Sequence, residues 1–142
     1  MHFWQLLKPN GELLIECGGQ GNIERALTII FKIMQSDQFR EYFVNWKQSW
    51  YFPKRDETER LLQKTMFKDI QVNLSKLTTT FSDSESFAIF SRTVIMNSFL
   101  GYLPDVKKKD QFVNAFLMEF EHSEGGAWSL DFMRLSIIAR KF

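Results

Sequence analysis

Leu6-Leu7-Lys8-Pro9-Asn10-Gly11-Glu12-Leu13-Leu14-Ile15-Glu16-Cys17-Gly18-Gly19-Gln20-Gly21-Asn22 is the stretch on which the fold turns. Ahead of it, Phe3 and Trp4 join Leu6 and Leu7 as the last turn of an amphipathic helix. Lys8-Pro9-Asn10-Gly11 then reads as a turn, because Pro stops a helix and Asn-Gly tolerates positive φ. Glu12 to Cys17 is a short apolar run between turn residues, the pattern of a buried parallel strand. A chain that opens inside a helix is expected to lack something N-terminal. Gly18-Gly19-Gln20-Gly21-Asn22 leads into a second helical pattern, with Asn22 as the expected N-cap.

Beyond this stretch, Ile23, Ala26, Leu27, Ile30, Ile33 and Met34 recur at spacings of three and four, an amphipathic helix. Phe39, Tyr42, Phe43, Trp46 and Trp50 mark another expected helical face, ending in Trp50-Tyr51-Phe52-Pro53. Asp56 with Glu59 resembles a capping box for a helix carrying Leu61 and Leu62 and ending near Met66. Ile70, Val72 and Leu74 alternate with Gln71, Asn73 and Ser75, so a half-buried strand runs toward Thr80. Ser82-Asp83-Ser84-Glu85 starts a helix with Phe87, Phe90, Val94, Ile95 and Phe99 on one face. Leu103-Pro104-Asp105 breaks it and caps the next, whose apolar side is Val113, Phe116, Leu117 and Phe120. Lys107-Lys108-Lys109 reads as a solvated face and Gly125-Gly126 as a turn. Leu135 to Ala139 reads as a closing strand.

The order is partial helix, strand, helices, strand, two helices, strand: one α/β domain or part of one over residues 1–142. Residues 82–122 are expected to be a helical insertion or lid between the last two strands. With 142 residues the chain fits one domain. Lys+Arg 18 against Asp+Glu 17 leaves a net charge of +1, which argues against nucleic-acid binding. One Cys excludes an internal disulfide and a Cys-based zinc site, and His2 and His122 lack metal-ligand spacing, so no metal is expected. No apolar run reaches the roughly 18 residues of a membrane span, and the first residues lack the form of a signal peptide. The expected setting is cytoplasmic. Fifteen Phe, 4 Trp and 3 Tyr in so short a chain point to an aromatic core, an interface or an apolar pocket.

Three pieces in order carry a family resemblance. Leu6-Leu7-Lys8-Pro9-Asn10-Gly11-Glu12-Leu13-Leu14-Ile15 is similar to the segment entering the fifth strand of class I S-adenosylmethionine-dependent methyltransferases. Gly18-Gly19-Gln20-Gly21-Asn22, followed by Trp50-Tyr51-Phe52-Pro53 and Leu61-Leu62, is similar to a pattern of the trans-aconitate methyltransferase-related branch. Trp128-Ser129-Leu130-Asp131-Phe132-Met133-Arg134-Leu135, ending in Ala139-Arg140-Lys141, resembles that branch's terminal strand. The resemblance covers nearly the whole chain but only the C-terminal half of the family's domain. It implies three strands of a Rossmann-like sheet, the last antiparallel, with helices including an inserted pair.

Two departures accompany it. The family's glycine-rich cofactor loop and acidic ribose-binding residue are absent, and Gly18-Gly19-Gln20-Gly21 follows a different strand with no acidic partner about 20 residues on in a strand context. Met66 stands where the family has a helix-terminating Gly; an αL cap there would be strained, which points to relaxed constraint or a different local ending.

The resemblance implies methyl transfer from S-adenosylmethionine to a small molecule, with a carboxylate acceptor. Such a reaction needs no general base; it needs alignment of two reactants and fixed donors for the acceptor's charge. Trp50, Tyr51, Arg92 and Arg134 are the substrate-binding candidates, Arg because its fork suits carboxylates. Each has a structural alternative: Arg134 paired with an acid, Arg92 on a solvated face, Trp46, Trp50 and Tyr51 in the core or an interface. Gly18, Gly19 and Asn22 are the weaker cofactor-contact candidates, an ordinary strand-to-helix turn being the alternative. Cys17 has no nearby His to activate it, and His122 belongs at a helix C-terminus. The chain alone is expected to be incomplete and inactive, with doubtful cofactor binding. The alternative function is a non-enzymatic binding or assembly module that forms a homodimer or docks on a separate N-terminal half.

Overall fold

In the computed structural model, which describes residues 3–123 and 128–142, the quoted stretch folds largely as its turn residues dictate. Helix α1 spans Phe3–Leu6 and strand β1 spans Glu12–Gly18. Between them Gly11 donates its N–H to Lys8 O at 2.9 Å, and Asn10 sits at φ 60°. The remaining elements are α2 (Glu24–Met34), α3 (Arg55–Gln63), β2 (Phe67–Thr80), α4 (Ser84–Phe90), α5 (Asn97–Leu100), α6 (Val106–His122) and β3 (Ser129–Lys141). The element order read from the sequence is the order observed. The Gly125-Gly126 turn lies outside the described residues.

The fold is α/β with a three-stranded sheet in the order β1-β3-β2, the last strand in the middle. Strand β3 pairs antiparallel with β1, from Glu12 opposite Arg140 to Gly18 opposite Arg134. Along β2, Asp69 lies 3.8 Å from Arg140 and Lys76 lies 2.7 Å from Asp131, so β2 and β3 also run in opposite directions. The expectation that the last strand is antiparallel therefore holds. Reading β1 as a buried parallel strand does not: its ladder is antiparallel, and only one face is covered, Leu13 being buried and Leu14 68% exposed. An apolar run shows that a strand is hydrophobic but not the direction of its partner.

The chain divides into two compact units. One is made of the chain up to Asn22, Trp50–Leu77 and Asp131–Phe142. Its core is Val72, Leu135 and Ile137, with Ile15, Cys17, Leu62, Ile70 and Leu74 packed against it. The alternation of Ile70, Val72 and Leu74 thus faces inward as expected, and β2 begins earlier than the alternation showed, at Phe67. Lys141 donates from Nζ to Trp4 O and Leu7 O at 2.8 and 2.7 Å, a cation on the last carbonyls of α1.

One expectation about α3 fails, and its ending differs from the family's. Its N-cap is Lys54, with no side-chain cap, and the expected capping-box acids instead flank Arg55, Asp56 at 2.9 Å and Glu59 at 3.2 Å. The helix ends at Gln63 with Lys64 in the right-handed region, so Met66 carries no αL cap and no strain. Positive φ falls instead on Asn10, Ile23 and Asp69 among the non-glycine residues.

The second unit comprises Ile23–Ser49 and Thr78–Leu130. Its buried side chains include Ile30, Phe39, Phe87, Ile95, Phe99, Phe112, Phe116 and Phe120. The rings touch in series: Phe87 contacts Phe116 at 5.9 Å and Phe120 at 4.5 Å, and Phe112 contacts Phe39 at 5.1 Å and Phe43 at 5.6 Å. Arg25 near the start of α2 donates to Phe120 O at 2.8 Å and Ser123 Oγ at 2.9 Å, satisfying groups at the C-terminal end of α6. His122 ends that helix, exposed, with Nδ1 2.7 Å from Met118 O, where the sequence put it.

The caps at Asp83 and Asp105 form as expected, accepting from Ser86 N and Lys108 N at 2.7 Å each. The expected helix over 39–50 is only a 3₁₀ turn at Arg40–Phe43. Its aromatics pack on rings far away in sequence, Trp46 stacking on Phe99 at 5.6 Å, and this tertiary packing overrides the local period. The face from Phe87 to Phe99 is interrupted by a π turn at Ser91–Ile95. The extra residue rotates the stripe, so Ser91 and Ile95 are buried and Val94 is exposed. Lys107 is exposed, whereas Lys108 and Lys109 are half-buried, Lys108 lying 5.7 Å from the Phe39 ring.

Candidate functional site

In an open α/β sheet, ligands sit beyond the carboxyl ends of strands, so the loop after β1 is the first place to look. Its hydrogen bonds are inward. Gly19 N–H donates to Met133 O at 2.8 Å, Gln20 N–H to Pro53 O at 3.0 Å and Asn22 N–H to Gly19 O at 3.0 Å. Asn22 is not the N-cap of α2: Ile23 precedes that helix at φ 48° without a side-chain cap. Instead Asn22 Oδ1 accepts from Met133 N–H at 3.0 Å. The side-chain amide takes the place of a strand carbonyl and carries the β1–β3 ladder one step past the Gly18–Arg134 pair.

The glycines are fixed by packing. A Cβ on Gly18 would lie 2.8 Å from Asn22 Nδ2 and 2.9 Å from the Phe52 ring. One on Gly19 would lie 2.5 Å from Leu74 Cδ1 and 3.1 Å from Leu135 Cβ. The space beside both is filled by this chain's own side chains.

Arg134 is the register partner of Gly18 and lies 3.2 Å from Glu16, with its guanidinium 6.0 Å from the Phe132 ring centre. Trp50 lies 6.3 Å from Phe52, and Tyr51 is 74% exposed. Gly18, Gly19, Asn22, Trp50, Tyr51 and Arg134 thus belong to one compact unit. Arg92 belongs to the other, where its Nη1 meets Asp110 Oδ1 at 2.6 Å. Both arginines hold carboxylates already. Cys17 is free and packs against the core. Among the described residues no cluster of His, Cys, Asp and Glu could hold a metal, and no helix is long and apolar enough to cross a membrane.

Sequence reasoning missed two features. In the first unit an apolar cavity of about 650 Å³ is lined by Trp4, Leu13, Ile15, Leu62, Phe67 and Ile137, among others. In the second unit a cavity of about 360 Å³ is walled by Phe31, Phe43 and Trp46. The aromatic excess announced such surfaces without locating them.

No protein-family model matches the sequence. An uncharacterized methyltransferase of Schizosaccharomyces pombe is 24% identical over 140 residues, which are 96% of this chain and 52% of that protein. Over those residues this chain is similar to that methyltransferase. It spans about half the length of that curated relative. Among solved structures, phosphoethanolamine N-methyltransferase 2 of Haemonchus contortus, in complex with phosphomonomethylethanolamine and S-adenosylhomocysteine, aligns with 97% of this chain and 28% of its own. The sequence identity is 21% and the TM-score 0.40.

Proposed function

We propose that this chain is the C-terminal part of an S-adenosylmethionine-dependent methyltransferase acting on a small molecule, with a carboxylate acceptor. The observation that carries the reading is the methyltransferase homology over 96% of the chain. The sheet order, with an antiparallel last strand between β1 and β2, supports it. So do the three motif pieces, which favour the trans-aconitate-related branch.

The residues present do not fit the methyl donor. The amides of Gly19, Gln20 and Asn22 are spent within the chain, and the faces of Gly18 and Gly19 are occupied. The acidic residues about 20 positions on, Asp37 and Glu41, lie in a turn and a 3₁₀ turn and not at the end of a strand, where a ribose would need one. In this reading the donor is held by other residues, and this chain supplies the acceptor side. Trp50 and Tyr51 are proposed to wall the acceptor, and Arg134 to receive its charge by exchanging Glu16 for the incoming carboxylate. Exposed ion pairs are worth only ~0–1 kcal/mol, so that exchange is cheap. Residues 82–122 are proposed as a helical insertion between β2 and β3.

The test is a transfer assay with radiolabelled methyl donor and small carboxylates. Label should reach an acceptor when this chain is mixed with the part of the fission yeast relative that it does not align with. It should not do so with either piece alone. Transfer by this chain alone, or by the other part alone at the same rate as the mixture, refutes the reading.

A second reading, an assembly module, is favoured by one observation. The 650 Å³ apolar cavity has exposed Phe3, Leu61 and Met66 among its lining, and β1 is the edge of the sheet. Apolar surface and strand edges of this kind are where chains associate. Light scattering separates the two: a concentration-independent monomer with a sharp melt counts against assembly.

A further inference from the structure

The cavity of about 360 Å³ in the second unit is not used by the proposed function, and its walls are chemically specific. Phe31, Phe43 and Trp46 are the aromatic residues of the lining, and Gln35, Gln48 and Arg40 the polar ones. The rings are held from behind. Trp46 lies 5.5 Å from Phe31 and stacks on buried Phe99 at 5.6 Å, and Phe43 touches Tyr102 at 5.9 Å and buried Phe112 at 5.6 Å. A pocket whose walls are already ordered loses little side-chain freedom when a ligand enters.

Arg40 is the charged residue among those lining the cavity. Its Nη1 lies 3.1 Å from Asp37 Oδ1, and both side chains are exposed. Such a pair contributes little and leaves the planar guanidinium fork available to a better-placed carboxylate. Three rings alone would also suit a cation, but a resident guanidinium opposes one. The volume is at the small end of ligand sites, enough for one ring and its substituent.

We infer that this cavity binds a small aromatic carboxylate, its ring against Phe31 and Trp46 and its carboxylate on Arg40. The inference does not rest on methyl transfer, because binding is read directly and without a methyl donor. Calorimetric titration of the chain with benzoate, benzamide and benzamidine is the test. Benzoate should bind saturably and at least about tenfold more tightly than the neutral and cationic analogues, the scale of one charge-assisted contact. Arg40→Gln, on an exposed side chain, should remove that preference while leaving the melting temperature unchanged. Trp46→Phe should weaken all three compounds together. Equal binding of the three, tighter binding of benzamidine, an unaltered preference in Arg40→Gln or no saturable binding of benzoate each overturns the inference.

Discussion

Gly19→Ala probes the packing of the loop after β1 directly. The new Cβ would sit 2.5 Å from Leu74 Cδ1 and 3.1 Å from Leu135 Cβ. The two neighbours respond differently. Leu74 Cδ1 is the far end of a flexible, half-buried side chain and can rotate away, at the expense of its place against Val72 and Leu135. Leu135 Cβ is fixed to the central strand, is fully buried, and yields only if β3 moves. Overpacking of this kind costs about 1–3 kcal/mol. With a urea slope of about 2 kcal/mol/M, the unfolding midpoint should fall by roughly 0.5–1.5 M. The cause is separable. In a Leu74→Ala background the severe contact is gone, so Gly19→Ala should cost less there by about 1 kcal/mol, a coupling typical of touching residues. An undisturbed midpoint for Gly19→Ala, or the same cost in both backgrounds, would refute the packing argument and reopen the space beside Gly19 to a ligand.

Three further outcomes follow from the second unit. Ser91 Oγ is buried without a hydrogen-bond partner among the described residues, so Ser91→Ala should leave stability unchanged or raise it by about 1 kcal/mol, read by thermal melting; a loss of that size would show a partner. Asp105→Ala removes the cap of α6 and should cost about 1 kcal/mol in the same assay, with Asp105→Asn recovering most of it. The Asp83 carboxyl is held below the usual aspartate range, first by the Ser86 N–H and then by the Ser82 and Ser86 hydroxyls. Its depressed folded value means that the cap contributes fully above the ordinary aspartate pKa of about 3.9 and is lost as pH falls through the folded value. Ser86 amide exchange should therefore accelerate, relative to Asp83→Asn, only at acid pH.

Elements bounded by strong punctuation were legible. Pro9-Asn10-Gly11, Asp83 and Leu103-Pro104-Asp105 mark their ends locally, and the structure places turns and caps there. The alternation of Ile70, Val72 and Leu74 identified β2 because one face alone is buried. What failed was decided at long range. Phe39 to Trp50 has helical spacing, yet its rings take partners on Phe99, Tyr102 and Phe112, and local period does not reveal a partner 50 residues away. The π turn at Ser91 shifts a stripe by one residue, which a fixed 3.6 period cannot express. For the site, Gly18, Gly19 and Asn22 were recognised as a unit, but their work within the fold was not. Phe52 fills the face of Gly18 from a segment beyond α2, and Asn22 serving as a ladder acceptor depends on where β3 returns, 111 residues later.

In the proposed function these residues form the acceptor side of a methyltransferase and do not grip the donor themselves. Calorimetric titration of the chain with S-adenosylmethionine tests it most directly. The account predicts no saturable heat through the micromolar range. A saturable one-to-one isotherm of micromolar affinity would contradict it.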